Sequence, residues 1–156
     1  MKKILKENKK SINPLIFFLI PVLIILFDQF TKFLIKNYLA LGQSFPLIKN
    51  TVYFTYIQNT GAGFGLFRSF NSVLIWVSVI IIGIILYYYG EIIKNKITTT
   101  AFALVLGGAA GNLIDRIFLG YVVDFIDFRF WPAFNVADSA VTIGVIILII
   151  YFLKKK

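Results

Sequence analysis

The chain reads as an all-α membrane protein of four transmembrane helices, and three observations predict it. Its 156 residues are 59% hydrophobic with a mean hydropathy of +0.85, too apolar for a soluble domain of this size. The apolar residues gather into four long runs. The lysines cluster at the ends of those runs, so the net charge of +9 reads as a topology signal and not as a nucleic-acid surface.

The first span is predicted from Pro14 to Ile35, about 33 Å at about 1.5 Å per residue, enough to cross the hydrocarbon core. A basic segment before an apolar run also suits a cleaved signal peptide, but no small-x-small site follows, and Asp28-Gln29-Phe30-Thr31-Lys32 continues the helical pattern. Asn37 to Phe70 is too polar and turn-rich to span. Within it, Thr51 to Ile57 is dense in β-branched and aromatic residues and predicts one or two short strands over the membrane surface. Asn59-Thr60-Gly61-Ala62-Gly63-Phe64-Gly65 permits tight turns and close approach to a ligand.

The second span is predicted at 73–89, a short charged loop at Glu91 to Lys96, and the third span at 98–118. A second non-spanning connection, Gly120 to Val136, leads to the fourth span at 137–153. Domain organisation is thus one membrane-embedded unit over 1–156. With four spans both termini share a side, which collects Lys2, Lys3, Lys6, Lys9, Lys10, Lys94, Lys96 and Lys154 to Lys156. Only Lys36, Lys49, Arg68 and Arg129 lie in the opposite connections, so both termini are expected in the cytoplasm and Trp76 and Trp131 near the outer interface.

This topology brings Asp28, Lys32, Asn59, Asn112, Asp115, Arg116, Asp124, Asn135 and Asp138 to one layer at the outer face. Asn112, Asp115 and Arg116 share one helix face by their spacing, and ionisable groups there cost about 2.5–3.5 kcal/mol each unless they pair or line a site. Asp28 and Lys32 are spaced for an ion pair, and Arg116 either neutralises Asp115 or braces the loop. Gly107 and Gly111 form a small-xxx-small helix contact. Asn135 and Asp138 suit a helix cap as well as a site.

Asp124, in Val122-Val123-Asp124-Phe125-Ile126, is poorly explained as a solvated loop residue. If it lies near Asp138, the two carboxylates share a proton, one activating water and the other serving the carbonyl and the leaving amine. Histidine and cysteine are both absent, which removes His-based triads, thiol nucleophiles and the usual zinc sites; no metal and no cofactor are expected.

In these residues the chain resembles the lipoprotein signal peptidases, or signal peptidase II. The motifs run in order: Asp28-Gln29-x-Thr31-Lys32, Asn59-x-Gly61-Ala62, Gly107-Gly108-Ala109-x-Gly111-Asn112-x-x-Asp115-Arg116, Val123-Asp124-Phe125 and Phe134-Asn135-x-Ala137-Asp138. The resemblance implies a four-helix aspartyl endopeptidase of the inner (cytoplasmic) membrane, with a small extracytoplasmic β-sheet cradle and a short surface helix. Its substrate would be a prolipoprotein carrying diacylglycerol on a cysteine, cut on the amino side of that cysteine at the outer membrane face. By the family pattern Asp124 and Asp138 are catalytic, while Asp28, Lys32, Asn59, Gly61, Asn112, Asp115, Arg116 and Asn135 support the site or hold substrate. The family's inhibitors, globomycin among them, would block the pair. One departure is Gly63, where members often carry Ala or Ser. The expected partners are the prolipoprotein and membrane lipids, with the chain acting as a monomer.

Two other classes compete. A small transporter would need a charged path across the membrane, yet Leu15 to Phe27 and Val141 to Leu153 carry no charge. A non-catalytic assembly subunit would use Gly107 and Gly111 as its contact surface and tolerate Asp124→Asn.

Overall fold

The computed structural model describes residues 14–61 and 71–155; Gly63, Arg68 and the N-terminal lysines lie outside them. In chain order the elements are α1 (Pro14–Tyr38), β1 (Ser44–Ile48), β2 (Val52–Asn59), α2 (Asn71–Tyr87), α3 (Tyr89–Ile92), α4 (Lys96–Phe118), β3 (Val122–Asp127) and α5 (Val136–Lys154). The helices α1, α4 and α5 are each long and apolar enough to cross a membrane. α2, with 17 residues, is shorter.

α4 is the axis of the bundle, packed against α1, α2 and α5. Its small residues make that possible: Ala101, Ala103, Gly107, Gly108 and Gly111 are all buried, where larger side chains would hold the helices apart. Gly107 faces α1, where an added Cβ would lie 2.9 Å from the Cα of Pro21. Gly108 faces α5, where a Cβ would meet the carbonyl oxygen of Ala137 at 2.3 Å. Gly111, the other glycine of the predicted pattern, lies against both, with Asp28 Oδ2 and the Cβ of Ala137 at 2.9 and 3.3 Å from such an atom. α1 and α5 turn the opposite character outward, with Leu19, Leu23, Leu26, Phe27, Ile146 and Ile149 among their half-exposed apolar residues. That is the surface of a helix that meets lipid.

The sheet is antiparallel throughout, in the order β1-β2-β3. β1 and β2 form a hairpin whose turn holds Asn50 at φ 63°, a left-handed conformation that asparagine tolerates. β3 was not expected as a strand. It lies in the second connection and pairs with β2 from Tyr53↔Asp127 to Asn59↔Val122. Its sequence, Val-Val-Asp-Phe-Ile-Asp, has the β-branched and aromatic content of a strand, but nearly every position is buried, so the alternation that marks a surface strand is missing. A short helix α3 likewise occupies part of the expected charged loop. A surface helix beside the sheet is not found among the described residues.

Candidate active site

At the sheet end of the bundle the structure assembles a buried polar cluster around Lys32. Its ammonium is 1% exposed and makes three contacts: Asp28 Oδ2 at 2.7 Å, Asp115 Oδ2 at 3.0 Å and Asn112 Oδ1 at 3.0 Å. An ammonium has three protons, so Lys32 is saturated. The expected Asp28–Lys32 pair is thus present within a larger group. Asp115 pairs with Lys32, so of the two roles offered for Arg116 the neutralising of Asp115 is not the one found. The cause is simple: adjacent residues on a helix point about 100° apart, and Asp115 turns toward α1 while Arg116 turns toward a cavity.

Each flanking carboxylate also accepts from a backbone amide, Asp115 through the same oxygen that meets Lys32 and Asp28 through its other one. Asp115 Oδ2 accepts from the amide of Val123 at 3.0 Å, and Asp28 Oδ1 from the amide of Ala137 at 2.9 Å. Val123 immediately precedes Asp124, and Ala137 immediately precedes Asp138. One buried cation therefore sets the position of the backbone just before each of the two acids. Gln29 adds to this by donating to Asp115 Oδ1 at 2.9 Å and to the carbonyl of Gly111 at 3.2 Å. Gln29 stood in the first motif without a role; the signal was its place next to Asp28. Gly111 needs its lack of side chain, since a Cβ would come within 2.9 Å of Asp28 Oδ2.

Two asparagines carry the arrangement on to the acids. Because Lys32 donates to Asn112 Oδ1, the amide nitrogen of Asn112 is turned the other way, and it donates to Asp138 Oδ1 at 2.7 Å. Asn135 is fully buried and donates to Asp124 Oδ1 at 2.8 Å and to Asn112 Oδ1 at 3.1 Å. It also caps α5: its side chain accepts from the amide of Asp138 at 2.9 Å, while Asp138 Oδ2 accepts from the amide of Asn135 at 3.3 Å. The predicted cap is present, and it leaves the Asp138 carboxylate on the cavity wall. Asn59 donates to Asp124 Oδ2 at 2.8 Å and is itself oriented by the amide of Gly61.

Asp124 and Asp138 line one cavity of about 600 Å³. Burial above all, then the neighbouring Asp138, push the Asp124 carboxyl up to about 7, against the opposing hydrogen bonds from Asn59 and Asn135. Arg116 shares the cavity wall with the two acids, and no carboxylate pairs with it among the described residues. Trp131, Pro132, Ala133 and Phe134 form the opposite rim. Ser139, Thr142 and Ile143 carry the cavity down α5 to the apolar surface, where Ile143 is half exposed. Of these, Trp131 was expected at the outer interface and Phe134 stood in the last motif without a role; Pro132, Ala133, Ser139, Thr142 and Ile143 were not singled out in the sequence, because nothing in their types distinguishes them from packing.

Residues 20–154 match the model of a known family, Signal peptidase (SPase) II. The lipoprotein signal peptidase of Halothermothrix orenii is 41% identical over 139 residues, covering 89% of this chain and 96% of its own. That of Caldanaerobacter subterraneus subsp. tengcongensis is 45% identical over 126 residues, covering 80% and 87%. Among solved structures, a bacterial membrane enzyme determined by the in meso method at 2.3 Å resolution superposes with a TM-score of 0.84 at 38% identity, over 87% of this chain and 86% of that one. Sequence and architecture thus agree from within α1 to the last turn of α5, and this chain belongs to the signal peptidase II family.

Proposed function

We propose that this chain removes the signal peptide from diacylglyceryl-modified prolipoproteins, cutting on the amino side of the lipidated cysteine, with Asp124 and Asp138 as the catalytic pair. The observation that carries this reading is the convergence of both carboxylates on one cavity, each held by an asparagine that is in turn oriented. Asp138 sits in the first turn of α5 and accepts two N–H donors, which suits the ionised partner. Asp124, raised to about 7, suits the partner that holds the proton.

Asp138 takes a proton from water as the water oxygen attacks the scissile carbonyl carbon, while Asp124 gives its proton to the carbonyl oxygen. The resulting diol collapses as Asp138 passes its proton to the leaving nitrogen, the C–N bond breaks and one hydroxyl proton returns to Asp124. No covalent intermediate forms. Arg116 would hold a substrate carbonyl, and the apolar floor past Thr142 and Ile143 offers an acyl chain a lateral exit to lipid.

In this reading the chain is a monomer in the cytoplasmic membrane, with both termini cytoplasmic, the sheet and cavity at the outer face, and membrane lipid around the bundle. α2 makes the fourth span. Its 17 residues give roughly 25 Å, and a shortfall of a few Å is accommodated by bilayer thinning at fractions of a kcal/mol per Å. The test is cleavage of a diacylglyceryl-modified prolipoprotein by purified wild type, Asp124→Asn and Asp138→Asn. Each variant should lose about 10²–10⁴-fold in turnover and still bind substrate or globomycin. Near wild-type cleavage by either would remove the pair from the mechanism.

A further inference from the structure

The rim of the cavity opposite the acids is a short loop with paired ends. Phe125 and Ile126 both donate to the carbonyl of Phe134, at 3.1 and 2.8 Å, and Phe134 donates back to Ile126 at 3.1 Å. Between these ends run residues 127–133, including the cavity-lining Trp131, Pro132 and Ala133. Such a loop needs something to set its shape. At its first residue stands Asp127, 7% exposed, a carboxylate that takes no part in the cluster around Lys32.

Asp127 Oδ1 accepts from the backbone amide of Arg129 at 2.8 Å, closing a turn within the loop. Asp127 Oδ2 accepts from the hydroxyl of Thr55 at 2.8 Å. Thr55 has one hydroxyl proton, so in its 2.9 Å contact with Ser44 it is Ser44 that donates. A polar ladder therefore crosses all three strands, Ser44 on β1, Thr55 on β2 and Asp127 on β3. Arg129 closes it: its Nε lies 3.5 Å from Asp127 Oδ2, and its guanidinium covers the Tyr53 ring at 4.1 Å from the centroid. Arg129 is held at φ 67°, a left-handed conformation that favours glycine. Just before it, Phe128 stacks on Phe134 with ring centroids 5.9 Å apart.

We infer that Asp127 is a positioning residue for substrate: through Thr55 and Arg129 it fixes the loop of Trp131, Pro132 and Ala133 as a preformed wall against which the substrate backbone is laid beside the acids. It acts on binding and not on proton transfer, because the ladder ends at the rim and none of its members touches Asp124 or Asp138. This rests on the proposed peptidase reading, and wild-type cleavage in the same assay separates the two.

The experiment compares steady-state cleavage of a lipidated prolipoprotein by wild type, Asp127→Ala, Asp127→Asn, Arg129→Ala and Arg129→Gly. Asp127→Ala should raise KM about tenfold and leave kcat within about threefold. Asp127→Asn keeps both acceptor contacts through its oxygen only in part and should fall between. Arg129→Gly keeps the left-handed turn without the side chain, so its KM should rise less than that of Arg129→Ala. In a Trp76→Phe background, Trp131 fluorescence anisotropy should drop in Asp127→Ala. An unchanged KM in Asp127→Ala, or a loss confined to kcat, overturns the inference while wild-type cleavage preserves the peptidase reading. Absence of wild-type cleavage instead removes the reading on which it stands.

Discussion

The two ends of the bundle handle polar groups in opposite ways. At the α3 end the polar side chains finish helices. Asn95 caps α4 through the amides of Ile97 and Thr98, and the hydroxyls of Thr98 and Thr99 reach the carbonyls of Ile92 and Asn95. The Lys94–Glu91 ion pair there is exposed, at 54% and 72%. At the sheet end the ion pairs of Lys32 with Asp28 and Asp115 are 2% exposed or less, and the side chains answer mostly one another. Backbone capping is sufficient reason for the first set. The second is an expensive arrangement whose open side is the cavity, and that is how a site differs from a helix end.

Breaking the proposed catalytic pair, Asp124 and Asp138, is the largest way to test this difference, and the pair also makes a stability prediction. A folded-state value near 7 for Asp124, against 3.8 when exposed, means the folded chain keeps a proton that the unfolded chain releases. Stability should therefore fall as pH rises from about 4 to about 7 and level off above, by a total of the order of 4 kcal/mol. Asp124→Asn should flatten that slope and raise Tm at pH 8 while abolishing cleavage. In wild type, kcat/KM should decline about tenfold per pH unit above about 7, as Asp124 loses its proton. A Tm profile for Asp124→Asn parallel to wild type would show that this carboxyl does not carry the proton.

Next in size is Lys32→Met, which leaves Asp28 and Asp115 buried without their cation. A loss of about 3–5 kcal/mol is expected, read as a drop in detergent-solubilised Tm. Activity should fall further than stability alone explains, because the Asn112 amide loses the group that sets its orientation. Lys94→Gln at the opposite end should change Tm by no more than about 1 kcal/mol and leave cleavage alone. Equal effects from the two lysines would erase the distinction between the ends.

Much of this was legible in the residues. The apolar runs marked α1, α4 and α5 to within three residues at either end, because a helix that crosses the hydrocarbon core needs a continuous stretch of such side chains. The i, i+4 spacing of Asp28 and Lys32 and the i, i+3 spacing of Asn135 and Asp138 each signalled a contact that local helix geometry alone can make. What spacing does not encode is the rotation of one helix against another. Asp115 pairs with Lys32 and not with Arg116 because α4 presents it to α1, and only packing at Gly107 and Gly111 decides that. β3 escaped for a related reason: a strand buried on both faces has no alternation to read. The Ser44–Thr55–Asp127 ladder depends on strand register, which follows from pairing and not from the order of residues.

Gly108 tests packing in its own right. A Cβ there would lie 2.3 Å from the carbonyl oxygen of Ala137 and 2.7 Å from Val141, so Gly108→Ala must push α5 away from α4 at the turn that carries Asp138. Overpacking costs about 1–3 kcal/mol, and the displaced Asp138 should lower kcat well before the fold is lost. Gly83 on α2 has nothing within 4 Å of the same position, so Gly83→Ala should leave both Tm and kcat near wild type. Loss of kcat in the second variant would mean that helix glycines act here through flexibility and not through close approach.

The smallest effect expected is at the α3 end. Asn95→Ala removes a side-chain oxygen that accepts from Ile97 at 2.9 Å and Thr98 at 3.3 Å, two amides that have no partner within α4. Such a cap is worth about 1 kcal/mol, and the exposed position lets water replace part of it. Tm should drop by a few degrees at most. Turnover and KM should not move, because the cap contacts nothing that leads to Lys32 or to the cavity. If Asn95→Ala lowers kcat, the two ends of α4 are mechanically coupled along the helix, and the division between finishing a helix and building a site fails where it is most directly exposed to measurement.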